Sequence, residues 1–351
     1  MASVHLKNIR KSFSNQQVID HLRLDVEDGE FVSILGPSGC GKTTCLRLIS
    51  GLESPDKGDI CFGNVSILAT APEKRGVGMV FQHYALFPHM TVEQNVIFGL
   101  KIRGEPKDVI QRKLDDILDI VQLQAEVRKY PAELSGGQMQ RVALARTLIT
   151  HPNVLLLDEP FANLDANLRN DMRAFVRDLQ QRMGITTILV THDQQEAMEL
   201  SNRVAVMFDG KIVQYDKPEK IFYQPKDARI AGFLGSVNLL SGRAIASGEF
   251  ESEIGHLVVD CQFISAADSD MASVRPERVQ LVELGNQTIR ENCFLATIRQ
   301  IRFNGAFNEI TLLVGNKAII CIELSGKERA SGQQILVHFP REDLWMMQGT
   351  Q

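Results

Sequence analysis

The sequence predicts an α/β core with a buried parallel sheet, interrupted by a helical insertion and followed by an all-β tail. Three observations carry that reading. Phe31–Leu35, Val154–Leu157 and Thr186–Val190 are short, mostly apolar runs of strand length, and each leads into polar residues able to do chemistry. From about 88 to 151 the apolar residues fall at helical spacing. Beyond Gly235 the chain turns to short strands punctuated by Asn304-Gly305, Gly315-Asn316 and Ser325-Gly326.

Size and composition bound the function. A chain of 351 residues has room for roughly two domains. A net charge of −5 and a pI near 5.9 argue against a broadly cationic surface, so nucleic acid is not an expected partner. Met1–Lys7 lacks a basic segment followed by an apolar one, and no run approaches the length of a membrane span, so the chain is expected to stay on the cytosolic side. Six cysteines, Cys40, Cys45, Cys61, Cys261, Cys293 and Cys321, include no CxxC pair and are read as reduced thiols.

Taken in order, Val4–Phe13 and Val18–Val26 read as strands. Phe13, at a strand end, is either core or an aromatic face able to stack on a base. The run Phe31–Leu35 then delivers Gly36-Pro37-Ser38-Gly39-Cys40-Gly41-Lys42-Thr43-Thr44, the phosphate-loop spacing. Its glycines permit close backbone approach to a triphosphate, and a helix opening near Lys42 directs unpaired N–H groups at an anion. Lys42 supplies a point charge, and Thr43 is placed to hold Mg²⁺ through its hydroxyl. Gly51 stops this helix, and Ser54–Gly58 is expected to be a loop. Gly76–Phe81 reads as a strand ending in Gln82, which can touch Mg²⁺ or a water beside the terminal phosphate.

In the insertion, Thr91 and Gln94 form a capping box, and Ile110, Leu114, Ile117, Leu118 and Val121 share one helix face. Ser135, Gly136, Gly137 and Gln138 open another helix, where a hydroxyl and two bare glycine amides make a second anion site. Val154–Leu157 ends in Asp158 and Glu159, at the edge of the sheet where open α/β folds bind ligands. Asp158 suits a Mg²⁺ partner for Thr43, and Glu159 a general base for the attacking water. A long polar helix runs to Met183, and Thr186–Val190 leads to Thr191 and His192, with Asp193 capping the next helix. Val204–Phe208 and Lys211–Tyr215 flank the hairpin signal Asp209-Gly210.

The ordered set GPSGCGKTT, Gln82, LSGGQ at Leu134–Gln138, VLLLDE at Val154–Glu159 and His192 resembles the ATP-binding subunits of ABC transporters across nearly the whole chain. The resemblance implies a P-loop NTPase fold, a RecA-like core with a helical insertion, followed by an OB-like β tail. It places an ATPase domain at 1–235 and a regulatory or dimerisation domain at 236–351. It further implies a head-to-tail homodimer holding ATP and Mg²⁺, with Ser135, Gly136 and Gly137 of one subunit facing the phosphate loop of the other. Phe13 becomes the adenine-stacking aromatic, Asp165 the intersubunit loop aspartate and His192 the γ-phosphate switch. Ala162 stands where the family usually has serine. Partners implied are integral membrane permease subunits, gripped near Gln82–Pro88 with its cluster Phe81, His83, Tyr84, Leu86 and Phe87, and indirectly a solute-binding protein. The implied location is the cytoplasmic face of the bacterial inner membrane.

Val274–Val279 is similar to the tail of importer subunits, and the Phe81–Thr91 stretch with the tail resembles ferric-iron import ATPases. Putrescine/spermidine, sulfate and sugar importers share these features. A GTPase is disfavoured because Asn316-Lys317-Ala318-Ile319 lacks the guanine-selecting aspartate. A DNA-repair ATPase is disfavoured because about 90 residues between the phosphate loop and Leu134 leave no room for a long coiled coil.

Overall fold

A computed structural model describes residues 2–14, 16–246, 248–260, 270–284 and 291–349. The chain divides into two compact units after Pro218. In the first, β1 (Val4–Phe13), β2 (Gln16–Val26), β3 (Phe31–Leu35), α1 (Lys42–Ser50), β4 (Lys57–Phe62), β5 (Val65–Ser66) and β6 (Val77–Val80) precede the helical insertion. The insertion holds α2 (Val92–Ile102), α3 (Lys107–Val121) and α4 (Gly136–Leu148). The chain then continues through β7 (Val154–Asp158), α5 (Ala166–Met183), β8 (Thr186–Thr191), α6 (Gln194–Leu200), β9 (Arg203–Phe208) and β10 (Lys211–Asp216).

The central sheet has the order β10-β9-β3-β8-β7-β6 and is parallel except for the terminal hairpin strand β10. Side chains alternate between its faces. Phe31, Leu155, Leu157 and Leu189 pack with the helical insertion, while Val32, Ile34, Leu156, Ile188 and Val190 pack beneath β1, β2 and α1. Both faces are covered, which is why these strands read as apolar runs.

A second sheet, β2-β1-β4-β5, is antiparallel. Here the structure corrects the expected loop, because Lys57 and Gly58 open strand β4. Lys57, Gly58 and Asp59 carry no strand signal, and what places them in β4 is the pairing of Lys57 with Arg10 and of Asp59 with Lys7 across an irregularity at Gly58. Gly58 has φ 97°, and a β-carbon there would lie 2.5 Å from the Lys7 carbonyl oxygen.

In the insertion, Thr91 and Gln94 form the expected capping box, and the apolar face of α3 is buried. Asn95 is fully buried. Its Oδ1 accepts from Phe87 N at 2.8 Å, and its Nδ2 lies 3.0–3.1 Å from the carbonyls of Phe87, Met90 and Thr91. Phe87 rests on Phe98 with centroids 4.4 Å apart, Tyr84 is buried, and Phe81 is exposed.

The second unit begins at Glu219 rather than at 236. The reason is Arg275, a buried side chain that donates to the carbonyls of Phe222 at 2.9 Å, Ala231 at 3.2 Å and Ser236 at 3.1 Å. Helices Pro218–Tyr223 and Ala228–Phe233 are thereby tied to the strand-rich tail. Two five-stranded antiparallel sheets enclose one core that includes Leu240, Phe250, Leu312, Ile335 and Phe339. Ile310, Leu312 and Val314 point inward as their alternation requires. Cys40, Cys45, Cys61, Cys293 and Cys321 are free thiols, and Cys261 lies outside the described residues.

Asn95→Ala removes the side chain that satisfies the main chain ahead of α2, and should cost ~2–4 kcal/mol in urea denaturation, since buried backbone groups lose their partners.

Candidate nucleotide site

Strand register assembles the site. Leu35 of β3 pairs with Thr191 of β8, and Val190 of β8 pairs with Asp158 of β7. Gly36, His192 and Glu159 therefore leave the same edge of the sheet. On the outer side, Val80 of β6 pairs with Leu157, which brings Gln82 to the same edge.

The phosphate loop is shaped by close approach. A β-carbon at Gly36 would lie 2.2 Å from the Met207 carbonyl oxygen, and one at Gly41, which has φ 107°, would lie 2.7 Å from Ile19 Cδ1. Gly41 is the N-cap of α1 and gives no side-chain cap, so the first N–H groups of the helix remain available to an anion. Lys42 is buried, and its ammonium donates to the carbonyls of Gly36 at 2.8 Å and Pro37 at 2.9 Å. Ser38 and Gly39 are exposed at the loop crest, with Cys40 tucked beneath. Behind this loop, the far end of α1 is fastened by buried Arg75, which donates to the carbonyls of Leu48, Ile49 and Thr70 at 2.9–3.1 Å.

Thr43 Oγ1 donates to Asp158 Oδ1 at 3.2 Å. Burial pushes the Asp158 carboxyl above its ordinary range and the Glu159 charge adds to it, against the pull of Thr43, Arg47 and Lys42. A half-buried carboxylate beside a hydroxyl fits Mg²⁺, which favours oxygen ligands and takes phosphate oxygens and waters for the remainder. Glu159 Oε1 lies 3.2 Å from His192 Nδ1. Glu159 has φ 45°, a conformation that a non-glycine residue holds at a cost, fixed here by its N–H donating to Val190 O at 2.9 Å.

The remaining residues lie apart from this cluster. Ser135 caps α4: its hydroxyl accepts from Gln138 N at 3.3 Å, and Gln138 Oε1 accepts from Ser135 N at 2.9 Å. Gly136 and Gly137 lie against Leu164 and Leu168. Among the described residues, no hydrogen bond joins this patch to the phosphate loop of its own chain. Asp165 caps α5, accepting from Leu168 N at 3.0 Å. Phe13 is 39% exposed, with the Lys11 ammonium 4.9 Å from its ring centre.

Comparison with known proteins bears on this arrangement. Residues 19–162 match the ABC transporter family. The Fe(3+) ions import ATP-binding protein FbpC of Fusobacterium nucleatum is 43% identical over 82% of this chain and 77% of that protein. The chain belongs to the ATP-binding subunits of ABC importers. The spermidine/putrescine import ATP-binding protein PotA of Lawsonia intracellularis is 38% identical, over 93% of this chain and 89% of its own. The sulfate/thiosulfate import ATP-binding protein CysA 2 of Rhizobium meliloti is 49% identical over 71% and 69%. Among solved structures, cbiO1 of Clostridium perfringens, part of the ABC transporter complex cbiONQ, superposes with a TM-score of 0.58 at 30% identity, covering 62% of this chain and 89% of that one. As a member of this family, the chain binds and hydrolyses ATP.

Three residues of this importer subunit escape sequence reading. Asn163 donates to the Gln82 carbonyl at 2.8 Å, linking the loop after β7 to the end of β6. Arg169 and Glu196 line a cavity of about 80 Å³ shared with Glu159 and His192. Both lie in otherwise ordinary polar helices, and only the fold turns them toward the site. Glu196 is buried and accepts from Thr191 Oγ1 at 2.5 Å. Burial lifts its carboxyl to about 6, and Asp193 adds to this, against Thr191, Arg169 and Arg173.

Because the folded chain holds the Glu196 proton more tightly than the unfolded chain, this group favours folding below pH 4.5. That contribution is lost as pH rises through 6. A carboxyl lifted from 4.5 to about 6 corresponds to about 2 kcal/mol of destabilisation at neutral pH. Glu196→Gln should therefore melt higher than the native chain at pH 7.5, with the difference shrinking toward pH 4.5 in thermal denaturation followed by circular dichroism.

Proposed function

We propose that this subunit drives import of ferric iron by closing as a head-to-tail pair around two ATP molecules. The observation that carries the pairing is a division of labour within one chain. The phosphate loop, Thr43, Asp158, Glu159 and His192 gather at one sheet edge, while among the described residues the Ser135–Gly137 helix start, the expected second anion site, is bonded to its own helix and neighbours and not to that edge. A second copy supplies the missing contact when the Ser135 hydroxyl and the Gly136 and Gly137 amides meet its partner's terminal phosphate.

In that closed site Lys42 and the α1 amides bind the phosphates, and Thr43 and Asp158 hold Mg²⁺, with Gln82 near it. The metal supplies charge neutralisation when bound. Glu159 accepts the proton of the attacking water, and His192, held beside it, orients the terminal phosphate. Asp165 keeps the subunit boundary in register, and Phe13 stacks on the adenine. ATP favours the closed pair because only that state offers both sets of contacts, and hydrolysis removes the preference.

Relatives named for iron, polyamine and sulfate import match at 38–49% identity, so the cargo rests on the Phe81–Thr91 stretch and the tail. Among the described residues no helix is long and apolar enough to cross a membrane. The cargo path is assigned to permease subunits, docked near exposed Phe81 and His83. Polyamine import is the second reading, favoured by the 93% coverage of the match to PotA. Uptake of radiolabelled ferric iron, putrescine and sulfate by cells with and without the gene separates these readings. Iron uptake that is unchanged by deletion overturns the iron assignment.

Glu159→Gln should bind ATP, accumulate as a dimer in gel filtration and lose ~10²–10³-fold in turnover, as expected when a group that positions the nucleophile is neutralised. Ser135→Arg should keep nucleotide affinity while abolishing ATP-dependent dimerisation. Dimerisation that survives Ser135→Arg would place the second anion site elsewhere.

A further inference from the structure

Helix α5 starts immediately after Asp165, and Arg169 on its first turn reaches back over the loop that leads into it. Arg169 Nη2 donates to the Leu164 carbonyl at 3.0 Å, one residue before Asp165. Its Nη1 lies 3.8 Å from Asp193 Oδ2, the residue after His192. Asp193 is fixed in turn: its Oδ1 accepts from Gln195 N at 2.8 Å and Glu196 N at 3.2 Å, and its own N–H donates to Thr191 Oγ1 at 2.9 Å. One guanidinium thus connects the loop after β7 to the turn after β8. It does so on the wall of the cavity that Glu159 and His192 share.

We propose that Arg169 is a positioning residue for ATP hydrolysis, fastening the loop that carries Asp165 to the turn that carries His192 so that the two shift together. This rests on the assignment of Asp165 and His192 to the nucleotide site. The chemistry of the side chain is suited to the task. A planar guanidinium holds its donors in a fixed fork that spans a carbonyl and a carboxylate in one set geometry, whereas an ammonium is a compact charge whose donors rotate on a flexible stem. A purely stabilising role is disfavoured by magnitude, because the pair with Asp193 is about one-third exposed on each side and 3.8 Å apart, so it contributes ~0–1 kcal/mol. Asp165 caps α5 without help from Arg169.

The test uses single-turnover ATP hydrolysis by the full chain. Arg169→Gln should lower the rate roughly tenfold, the scale of a small misplacement of catalytic groups, with KM for ATP within about twofold and an unchanged melting temperature. Arg169→Lys should fall between. Asp193→Asn, which keeps the helix cap but cuts the same connection at its other end, should reproduce the loss and add nothing to Arg169→Gln. In the native background the losses from Asp165→Asn and His192→Gln should combine to less than their product, and in Arg169→Gln they should multiply. A native rate in Arg169→Gln, or equal non-additivity in both backgrounds, overturns the proposal while an inactive Glu159→Gln leaves the site reading intact. Asp165→Asn and His192→Gln that are both fully active would remove that reading and this one together.

Discussion

The parallel pairing of β3, β8 and β7 is the constraint on which the rest of the site depends. The register of the parallel ladders, Leu35 opposite Thr191 and Val190 opposite Asp158, sets three strand ends level. A slip of one residue in either ladder would turn every buried side chain of that strand to the opposite face. The hydrophobic pattern therefore fixes where Gly36, Glu159 and His192 emerge. Packing on both faces of the sheet, by the insertion on one side and by β1, β2 and α1 on the other, is what holds the polar edge in register.

The groups at that edge are held by different means. The phosphate loop is rigid because neighbouring backbone leaves no room for a β-carbon at Gly36 and because Lys42 is tied to two carbonyls. Glu159 is held in an uncommon backbone conformation by the adjacent strand. His192, with a side chain 57% exposed, has fewer restraints, and its position is inherited from Thr191 and Asp193 on either side. The site thus grades from a fixed anion cradle to a looser face open to solvent.

Much of this was legible in the sequence. Phe31–Leu35, the helix stop at Gly51, the capping boxes at Thr91 and Ser135, the apolar face of α3 and the Asp209-Gly210 hairpin each carry a local signal that the structure obeys. What escaped depends on distant partners. β4 exists because β1 offers it an edge, and residues 219–235 join the tail because a buried Arg275 binds their carbonyls. Asn163, Arg169 and Glu196 sit in polar stretches with no pattern to distinguish them, and become part of the site only when three separate loops converge.

Arg75 has a mechanical consequence. By binding the last carbonyls of α1 it bolts the rear of the helix to the segment at Thr70, while the β-sheet grips its front through Gly36. A rod clamped at both ends does not recoil when a highly charged guest arrives at its tip. If ATP closes the pair as proposed, the loops following β7 and β8 are left to move, with the helix as the stationary mount against which they swing.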